Sequence, residues 1–139
     1  AAPSNPGLKA TWHEFKGNKC SEIEKAPING TYPVEDVMIP KKVKGNIGLI
    51  IKGYFNAPQD DIYTFALLSD DGSTLTIDSE QIVDNDGPHG PKEIVGQKAL
   101  AKGYHPMELR YFDQNGGQLK LKVTGSDGKE IPFTHLYAH

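Results

Sequence analysis

The sequence predicts an all-β fold, an antiparallel β-sandwich or barrel in a single domain, and three observations support this prediction. The chain has 139 residues, enough for one core but not for two ordinary domains. Its 15 glycines and 10 prolines are spread throughout, so uninterrupted stretches have the length of strands rather than helices. Short segments alternate between apolar and polar residues and are separated by turn dipeptides, as in sandwiches and barrels.

The alternation places the strands in chain order. Leu119, Leu121 and Val123 interleave with polar residues, so one face of that strand meets a core and the other meets water. Segments 47–55 and 62–68 are apolar on both faces, as expected of central strands that a second sheet covers. The predicted strands are 10–15, 47–55, 61–69, 74–77, 81–83, 93–100, 105–113, 118–124 and 131–137.

Turn dipeptides lie between several of these strands and predict hairpins. Such pairs accept the positive φ that tight connections require. They are Asp71-Gly72, Asp86-Gly87, Asn115-Gly116 and Asp127-Gly128.

Two segments show no strand alternation. Region 17–40 has no clear periodicity and is expected to wrap around the outside of the domain. Residues 1–9 are rich in Ala, Pro, Ser, Asn and Gly, which predicts a linker or a mature N-terminal segment. The folded domain is therefore expected to span residues 10–139.

Composition and motifs argue against several classes of function. The formal net charge is -3 and no dense basic stripe is present, so nucleic acid is not an expected partner. No apolar run approaches the roughly 20 residues of a membrane helix, so membrane insertion is not expected. The single Cys20 excludes an internal disulfide and a Cys-rich zinc cluster. Nucleophile, metalloprotease and phosphate-loop motifs are missing, so the domain is not expected to be an enzyme.

Asp70 and Asp71 are adjacent carboxylates that follow an apolar run, in "SDDGSTLTID". They are too close in sequence to straddle a glycosidic bond as a catalytic pair. Neighbouring side chains on an extended trans backbone point to opposite faces, so both would face one ion only across a cis peptide. A hard cation such as Ca²⁺ would suit these oxygen ligands. The alternative is an Asx turn, in which one carboxylate accepts backbone N–H groups before Gly72. Both readings remain open.

The loop "VDNDGPHGPKE", residues 83–93, is a candidate carbohydrate-binding surface. Asp84, Asn85, Asp86 and His89 supply donors and acceptors between glycines that allow close approach, as sugar hydroxyls require. The alternative is a long polar connection braced by its prolines.

Aromatic side chains are the other candidate sugar contacts. Tyrosine and tryptophan can stack on a pyranose ring, but most of those in this chain lie in strand-like runs and are expected to fill the core. Tyr104 follows Gly103 at a loop edge and is predicted to be the stacking platform.

The stretch "GYFNAPQDDIYTFALLSDDGSTLTIDSEQIVDNDGPHG", followed by "GQKALAKGYHPMELRYFDQNGGQLKLKV", resembles a PA14 domain. This family of β-sandwich modules is named for a segment of anthrax protective antigen and occurs in yeast adhesins, glycosidases and other secreted bacterial proteins. The resemblance covers residues 53–123. "VDNDGPHG" with "GYHPMELRYFDQNGG" is similar to PA14 modules appended to bacterial glycoside hydrolases, including family 20-type hexosaminidases and β-glucosidases.

The resemblance implies a calcium site. In the sugar-binding adhesins of the family, two consecutive aspartates joined by a cis peptide hold Ca²⁺, an asparagine on another loop completes the site, and the ion binds sugar hydroxyls. Asp70 and Asp71 match the aspartate pair. Asn115 in "DQNGG" is the implied asparagine, with Asp113 and Gln114 as register alternatives. Asn115-Gly116 would also serve as a plain hairpin turn.

Two hypotheses of function follow. The first is a non-catalytic carbohydrate-binding module, Ca²⁺-dependent through the site above, which tethers the catalytic domain of a secreted bacterial glycoside hydrolase to its glycan or oligosaccharide. The second is an accessory domain that shapes or stabilises a neighbouring catalytic domain without binding sugar. For either, the resemblance implies a secreted, periplasmic or cell-surface location.

Overall fold

The computed structural model of the chain describes residues 5–114 and 116–138. These residues form two antiparallel sheets, which confirms the predicted all-β class, and two short 3₁₀ helices at Cys20–Lys25 and Phe133–His135. The strands are β1 (Asn5–Pro6), β2 (Leu8–Glu14), β3 (Ile28–Val34), β4 (Asn46–Ala57), β5 (Asp61–Asp70), β6 (Ser73–Ile77), β7 (Glu80–Asn85), β8 (Lys92–Leu100), β9 (Gly103–Gln114), β10 (Gln118–Thr124), β11 (Glu130–Ile131) and β12 (Leu136–Ala138). Within these described residues, no helix is long and apolar enough to cross a membrane.

The larger sheet, called sheet A, is built on the long pair β4 and β9. These strands pair from Asn46 opposite Gln114 to Ala57 opposite Gly103. The strand order is β1-β12-β4-β9-β6-β7, and β2 also pairs with β4 and with β3. The smaller sheet, called sheet B, has the order β11-β10-β5-β8.

The main hydrophobic core lies between the two sheets. In β5, every second residue from Tyr63 to Ser69 is buried, so one face of sheet B points inward and the other faces solvent. Leu49, Leu75 and Leu109 meet this face from sheet A and are each 0% exposed. The ring of Phe55 makes edge-on contacts with two aromatic rings of β5 at centroid distances of 5.3 and 5.7 Å. Such arrangements suit aromatic quadrupoles.

A second, smaller apolar cluster lies on the outer face of sheet A. Ile23 of the first 3₁₀ helix is 0% exposed and packs in one cluster with Ile50 and Phe112. The segment predicted to wrap around the outside therefore does so at this helix. The prediction that 17–40 lacks strands was wrong, because β3 lies within it. β3 escaped detection because it is an edge strand, containing Gly30 and Pro33, with little apolar alternation.

The N-terminal boundary also needs correction. Residues 1–9 were predicted as a linker or mature terminal segment, but β1 pairs with β12 and β2 begins at Leu8. Leu8 is 1% exposed and belongs to the core. Residues 5–9 are thus part of the domain, because one buried leucine is enough to anchor a short polar segment to a sheet edge.

Three of the four predicted hairpin turns connect different sheets. The connections β5 to β6, β7 to β8 and β9 to β10 each cross between sheets A and B, whereas Asp127-Gly128 joins the paired strands β10 and β11. The hairpin between β6 and β7 turns instead at Asp78 and Ser79, with φ of 52° and 67°. Turn dipeptides indicate where the chain reverses, but not which sheet the next strand joins.

Candidate functional site

The three crossing connections meet at one end of the sandwich, here called the crossover end: residues 70–73, 85–92 and 114–118, of which Asn115 lies outside the described residues. The registers establish this, since Asp70 lies opposite Gln118 and Ser73 lies opposite both Asn85 and Tyr111. Beneath the loops, the hydroxyls of Ser69 and Ser73 are 2.6 Å apart and fully buried. This contact ties sheet B to sheet A directly under the candidate site.

The Asp70-Asp71 pair stands at the centre of this end, and the peptide bond between the two residues is cis. The Asp71 carboxylate spans the other two connections: Oδ1 accepts from the N–H of His89 and Oδ2 from the N–H of Gln114, each at 3.1 Å. These partners lie on other loops, so the geometry is not an Asx turn before Gly72. The Asp71 side chain joins all three connections.

The Asp70 carboxylate has a different environment. No hydrogen bond or ion pair to it is made by any residue within 5–114 and 116–138, whereas its main-chain oxygen accepts from the Tyr111 hydroxyl at 2.7 Å. Its backbone is therefore fixed, while none of the described residues engages its charged oxygens. A carboxylate held in this way can accept a cation or a hydroxyl donor.

Tyr111 and Asp113 support the site from below. The Tyr111 oxygen is also 2.7 Å from Oδ2 of Asp113, whose Oδ1 accepts from the N–H of Gly116 at 3.0 Å. The phenol has one hydrogen, which it donates to the Asp70 main-chain oxygen or to Oδ2 of Asp113, so both oxygens depend on this one donor.

Both members of this pair have raised pKa values. Burial raises the pKa of Asp113, and the nearby carboxylates of Asp71 and Asp70 raise it further, against the lowering effect of its own hydrogen bonds. Burial, followed by the hydrogen bond to Asp113, also raises the pKa of Tyr111, so the phenol stays protonated. The carboxylates of Asp70 and Asp71 are close enough to Asp113 to raise its pKa, so three carboxyl groups lie near one another at this end.

The carboxylate oxygens of Asp70 and Asp71 are ligands of the type that Ca²⁺ prefers. Asp70 offers two carboxylate oxygens without partners among the described residues, and each oxygen of Asp71 keeps a second lone pair beside its amide contact. The donor atoms of Asp70 and Asp71 are all oxygens, which suits a hard cation. Asn115, the third predicted ligand, lies outside the described residues. Within the part of the chain that the structure describes, no cluster of three or more His, Cys, Asp and Glu side chains is arranged to hold a metal.

The loop after β7 contributes less than its sequence suggests. Asn85 is 3% exposed, and its Nδ2 donates to the main-chain oxygens of Leu67 and Lys92. The prediction that Asn85 contacts sugar is therefore corrected, because its side chain fills an internal position. Asp86 accepts from the N–H groups of Cys20 and Gly87 and so ties this loop to the first 3₁₀ helix.

Two loop residues remain at the surface. Asp84 is exposed on β7, with one contact from the N–H of Asp86 at 3.2 Å. The His89 ring lies 2.7 Å from the main-chain oxygens of both Gly90 and Asn85. Both neighbours are acceptors, so the ring holds its place by donating to main-chain oxygens of its own loop. His89 thus braces the loop at the same point where its N–H binds Asp71.

Tyr104 lies apart from this site. It stands near the start of β9, whereas Gln114 ends the strand at the crossover end, so about 33 Å of extended chain separates the two. Tyr104 is 39% exposed and packs edge-on against Tyr137 at a centroid distance of 5.4 Å. A sugar bound at Asp70 and Asp71 would not reach it, so the predicted platform does not belong to this site.

Sequence reasoning missed the glycines that let the loops close. A Cβ on Gly117 would lie 1.9 Å from the Asp70 main-chain oxygen and 2.6 Å from the Tyr111 hydroxyl. A Cβ on Gly72 would lie 2.7 Å from the N of Gly87. Asp71-Gly72 and Asn115-Gly116 were read as turn signals and Gly117 was not singled out, because nothing local distinguishes a turn glycine from one required by close backbone approach.

A comparison with models of protein families shows the family to which the chain belongs. The family model of the PA14 domain matches residues 4–133. The chain belongs to the PA14 family. The matched range includes both sheets and all three connections of the crossover end, so the resemblance inferred for residues 53–123 extends over nearly the whole chain. No curated protein sequence matches this PA14 domain significantly.

Solved structures share the fold at low sequence identity. The PA14 sugar-binding domain of an RTX adhesin has a TM-score of 0.81 at 16% identity, covering 98% of this chain and 100% of that chain. The epithelial adhesin 6 A domain from Candida glabrata, in complex with Galβ1-3GlcNAc, has a TM-score of 0.69 at 12% identity, covering 99% and 88%. A β-glucosidase from Kluyveromyces marxianus has a TM-score of 0.66 at 17% identity, covering 86% of this chain and 16% of the enzyme. These likenesses establish the fold.

Proposed function

We propose that this PA14 domain is a non-catalytic carbohydrate-binding module that binds glycans at the crossover end. The observation that carries the proposal is the Asp70-Asp71 pair. One carboxylate bridges the two other connections, and the other is unengaged among the described residues. Solved domains of this fold include one named as sugar-binding and one in complex with a disaccharide, which supports the same role here.

We assign Ca²⁺ dependence to Asp70, Asp71 and Asn115. The Asp70 carboxylate supplies charge at the surface, and Asp71 holds the His89 loop and the end of β9 in place. When bound, the ion would accept two vicinal sugar hydroxyls in place of water. Gly116 leaves open space next to this site, because a Cβ there would meet no atom within 4 Å.

We further propose that the domain serves a secreted bacterial glycoside hydrolase. The β-glucosidase contains this fold as 16% of its own chain, which supports attachment of such a module to a catalytic domain. A tethered binding module raises the local concentration of substrate at the catalytic domain without any new contact in the active site.

An accessory role without sugar binding is the second candidate. It is favoured by the loop contacts themselves, because Asp71, Asp86 and His89 all bond to main-chain groups and hold loops together. On this reading, the crossover end is a rigid rim that positions a neighbouring domain.

Calorimetric titration over a glycan panel, with Ca²⁺ or with EDTA, distinguishes the two roles. We expect binding only with Ca²⁺, and loss of binding by at least about tenfold in Asp70→Asn, which removes the charge at constant size. Asp127→Asn, in the β10–β11 turn, is the matched control and should bind normally. Binding of no glycan under either condition would defeat the carbohydrate role.

Thermal unfolding tests the ion separately. A ligand that binds only the folded state at 100 times its Kd adds about 2.7 kcal/mol, roughly 10 °C in Tm for a domain of this size. Asp70→Asn should lose this shift. An unchanged Tm in the unmodified protein would favour the accessory role.

A further inference from the structure

A cavity opens at the crossover end, two strands away from the aspartate pair. Its volume is about 470 Å³. We call it the lysine cavity, and it is lined by Glu14, Phe15, Lys16, Lys44, Gly45 and Asn46. It lies where β2 ends and β4 begins, and the N–H of Phe15 donates to the main-chain oxygen of Asn46 at 3.3 Å, which holds its two walls together.

The lysine cavity and the aspartate pair are neighbours across one strand. Asn46 lies opposite Gln114 in the β4–β9 ladder, and the N–H of Gln114 donates to Asp71 on the other side of β9. Adjacent strands lie about 4.8 Å apart, so two strand spacings, about 10 Å, separate Asp71 from the cavity wall at Asn46. A disaccharide can cover that distance with one ring at each position.

The charges that line the lysine cavity indicate whether the sugar ring bound there would be neutral or acidic. Lys16 and Lys44 are exposed, and neither has a carboxylate partner among the residues that the structure describes. Three other lysines, Lys52, Lys98 and Lys122, form ion pairs with glutamates. What sets Lys16 and Lys44 apart is that they share a cavity at the crossover end. Glu14 is the single acidic residue of the lining, so the lining carries a net charge of +1, although the whole chain carries -3.

We propose that the lysine cavity is a subsite for an acidic sugar residue, so that the preferred ligand is an anionic oligosaccharide. This inference rests on the proposed function, with the neighbouring ring at Asp70 and Asp71. Ammonium groups are donors without acceptor capacity, and two of them suit a carboxylate or sulfate better than a neutral hydroxyl. They also offset the repulsion between an acidic sugar and the aspartates. The Asn46 amide adds a neutral donor and acceptor at the same rim.

The test compares neutral glycans with their anionic counterparts in calorimetry with Ca²⁺. The probes are Galβ1-4GlcNAc, its 3′-sulfated form, its 3′-sialylated form, and oligosaccharides of galactose and galacturonic acid. We expect each anionic probe to bind roughly tenfold more tightly than its neutral counterpart, with the advantage shrinking at high salt. The sulfated and carboxylated arms show which acid group the cavity prefers.

The double substitution Lys16→Gln/Lys44→Gln should abolish the anionic advantage and leave neutral binding unchanged. Lys102→Gln/Lys129→Gln removes the same charge from exposed lysines at the opposite end of the sandwich and should keep the advantage. Equal binding of neutral and anionic probes, or equal losses in both double variants, would overturn the inference and leave the proposed function standing. Binding of no probe, neutral or anionic, would instead contradict the proposed function and this inference with it.

Discussion

At the scale of single residues, Tyr111 connects the candidate site to the core. Its hydroxyl is buried between the main-chain oxygen of Asp70 and the carboxyl group of Asp113, which belong to different sheets or their connections. Removing the hydroxyl would leave two buried oxygens without their partner, and that desolvation cost exceeds the net value of an ordinary hydrogen bond.

Tyr111→Phe is therefore expected to lower the free energy of unfolding by about 1–3 kcal/mol. Urea unfolding followed by fluorescence measures the change. Tyr104→Phe is the matched control, since that side chain is 39% exposed, and it should change stability by less than about 0.5 kcal/mol. Similar losses in both variants would show that Tyr111 does not act through its buried hydroxyl.

Two carboxylates with opposite pKa directions predict opposite effects of pH on stability. Burial raises the pKa of Asp36, more than its bond from the Val37 N–H lowers it. The hydrogen bond with Ser126 lowers the pKa of Asp61. A carboxyl group whose pKa is raised in the folded state adds stability below its unfolded-state pKa of about 3.9. This stability is lost as the pH rises through its folded-state pKa. A carboxyl group whose pKa is lowered in the folded state adds stability above its unfolded-state pKa, and this stability is lost as the pH falls through its folded-state pKa.

Asp36→Asn should therefore be more stable than the unmodified protein at pH 7 and lose this advantage at pH 3. Its amide oxygen can still accept from Val37, so the comparison isolates the charge. Asp61→Asn should be less stable than the unmodified protein at pH 7, with the difference shrinking at pH 3. Urea midpoints at both pH values test the pair, and shifts of the same sign in both variants at pH 7 would contradict it.

At the scale of elements, the first 3₁₀ helix covers the outer face of sheet A. Arg110 of β9 donates to the main-chain oxygen of Cys20 at 3.2 Å and forms ion pairs with Glu24 and Glu108. Beneath these polar contacts, Ile23 fills the apolar cluster on β4 and β9. Because surface ion pairs contribute little, the buried isoleucine is expected to supply most of the docking free energy.

Ile23→Ala should destabilise the domain by about 2–4 kcal/mol through the cavity that it leaves. Ile28→Ala, at a position that is 66% exposed, removes the same atoms from the surface and should cost less than about 0.5 kcal/mol. Denaturant unfolding of the two variants gives the comparison. Equal, small losses would mean that the helix is held by its polar contacts.

At the scale of the whole molecule, the site exists because the chain crosses between the two sheets three times at the crossover end. Gly117 precedes β10 of sheet B and lies against both the Asp70 oxygen and the Tyr111 hydroxyl of sheet A. An added methyl group has no room there, so it must displace the backbone that carries the aspartate pair.

Gly117→Ala is expected to cost more than about 2 kcal/mol of stability and to weaken the Tm response to Ca²⁺. The control is Gly90→Ala, whose Cβ would meet no atom within 4 Å. Differential scanning calorimetry with and without Ca²⁺ reports both effects. A Gly117→Ala protein with normal stability would show that the loops do not close as tightly as the geometry requires.

The sequence by itself determined the fold class and the position of most strands. Alternation in β9 and β10 records which side chains face a core, and that pattern is local. The sequence of β5 is apolar on both faces, and only the structure shows which face is buried. The sequence also marked Asp70 and Asp71 as an unusual pair, and the family resemblance implied their cis peptide. The edge strand β3 was missed because most of its side chains face solvent, so its sequence shows little alternation between apolar and polar residues.

Only the tertiary structure decided which sheet each strand joins, and therefore that three connections meet at the crossover end. It also decided that Asn85 is buried, that Tyr104 stands at the far end of β9, and that Lys16 and Lys44 line one cavity. The physical reason is that a period of two residues specifies only the face of a strand. Strand partners follow from packing between segments far apart in the chain, and no local pattern encodes that choice.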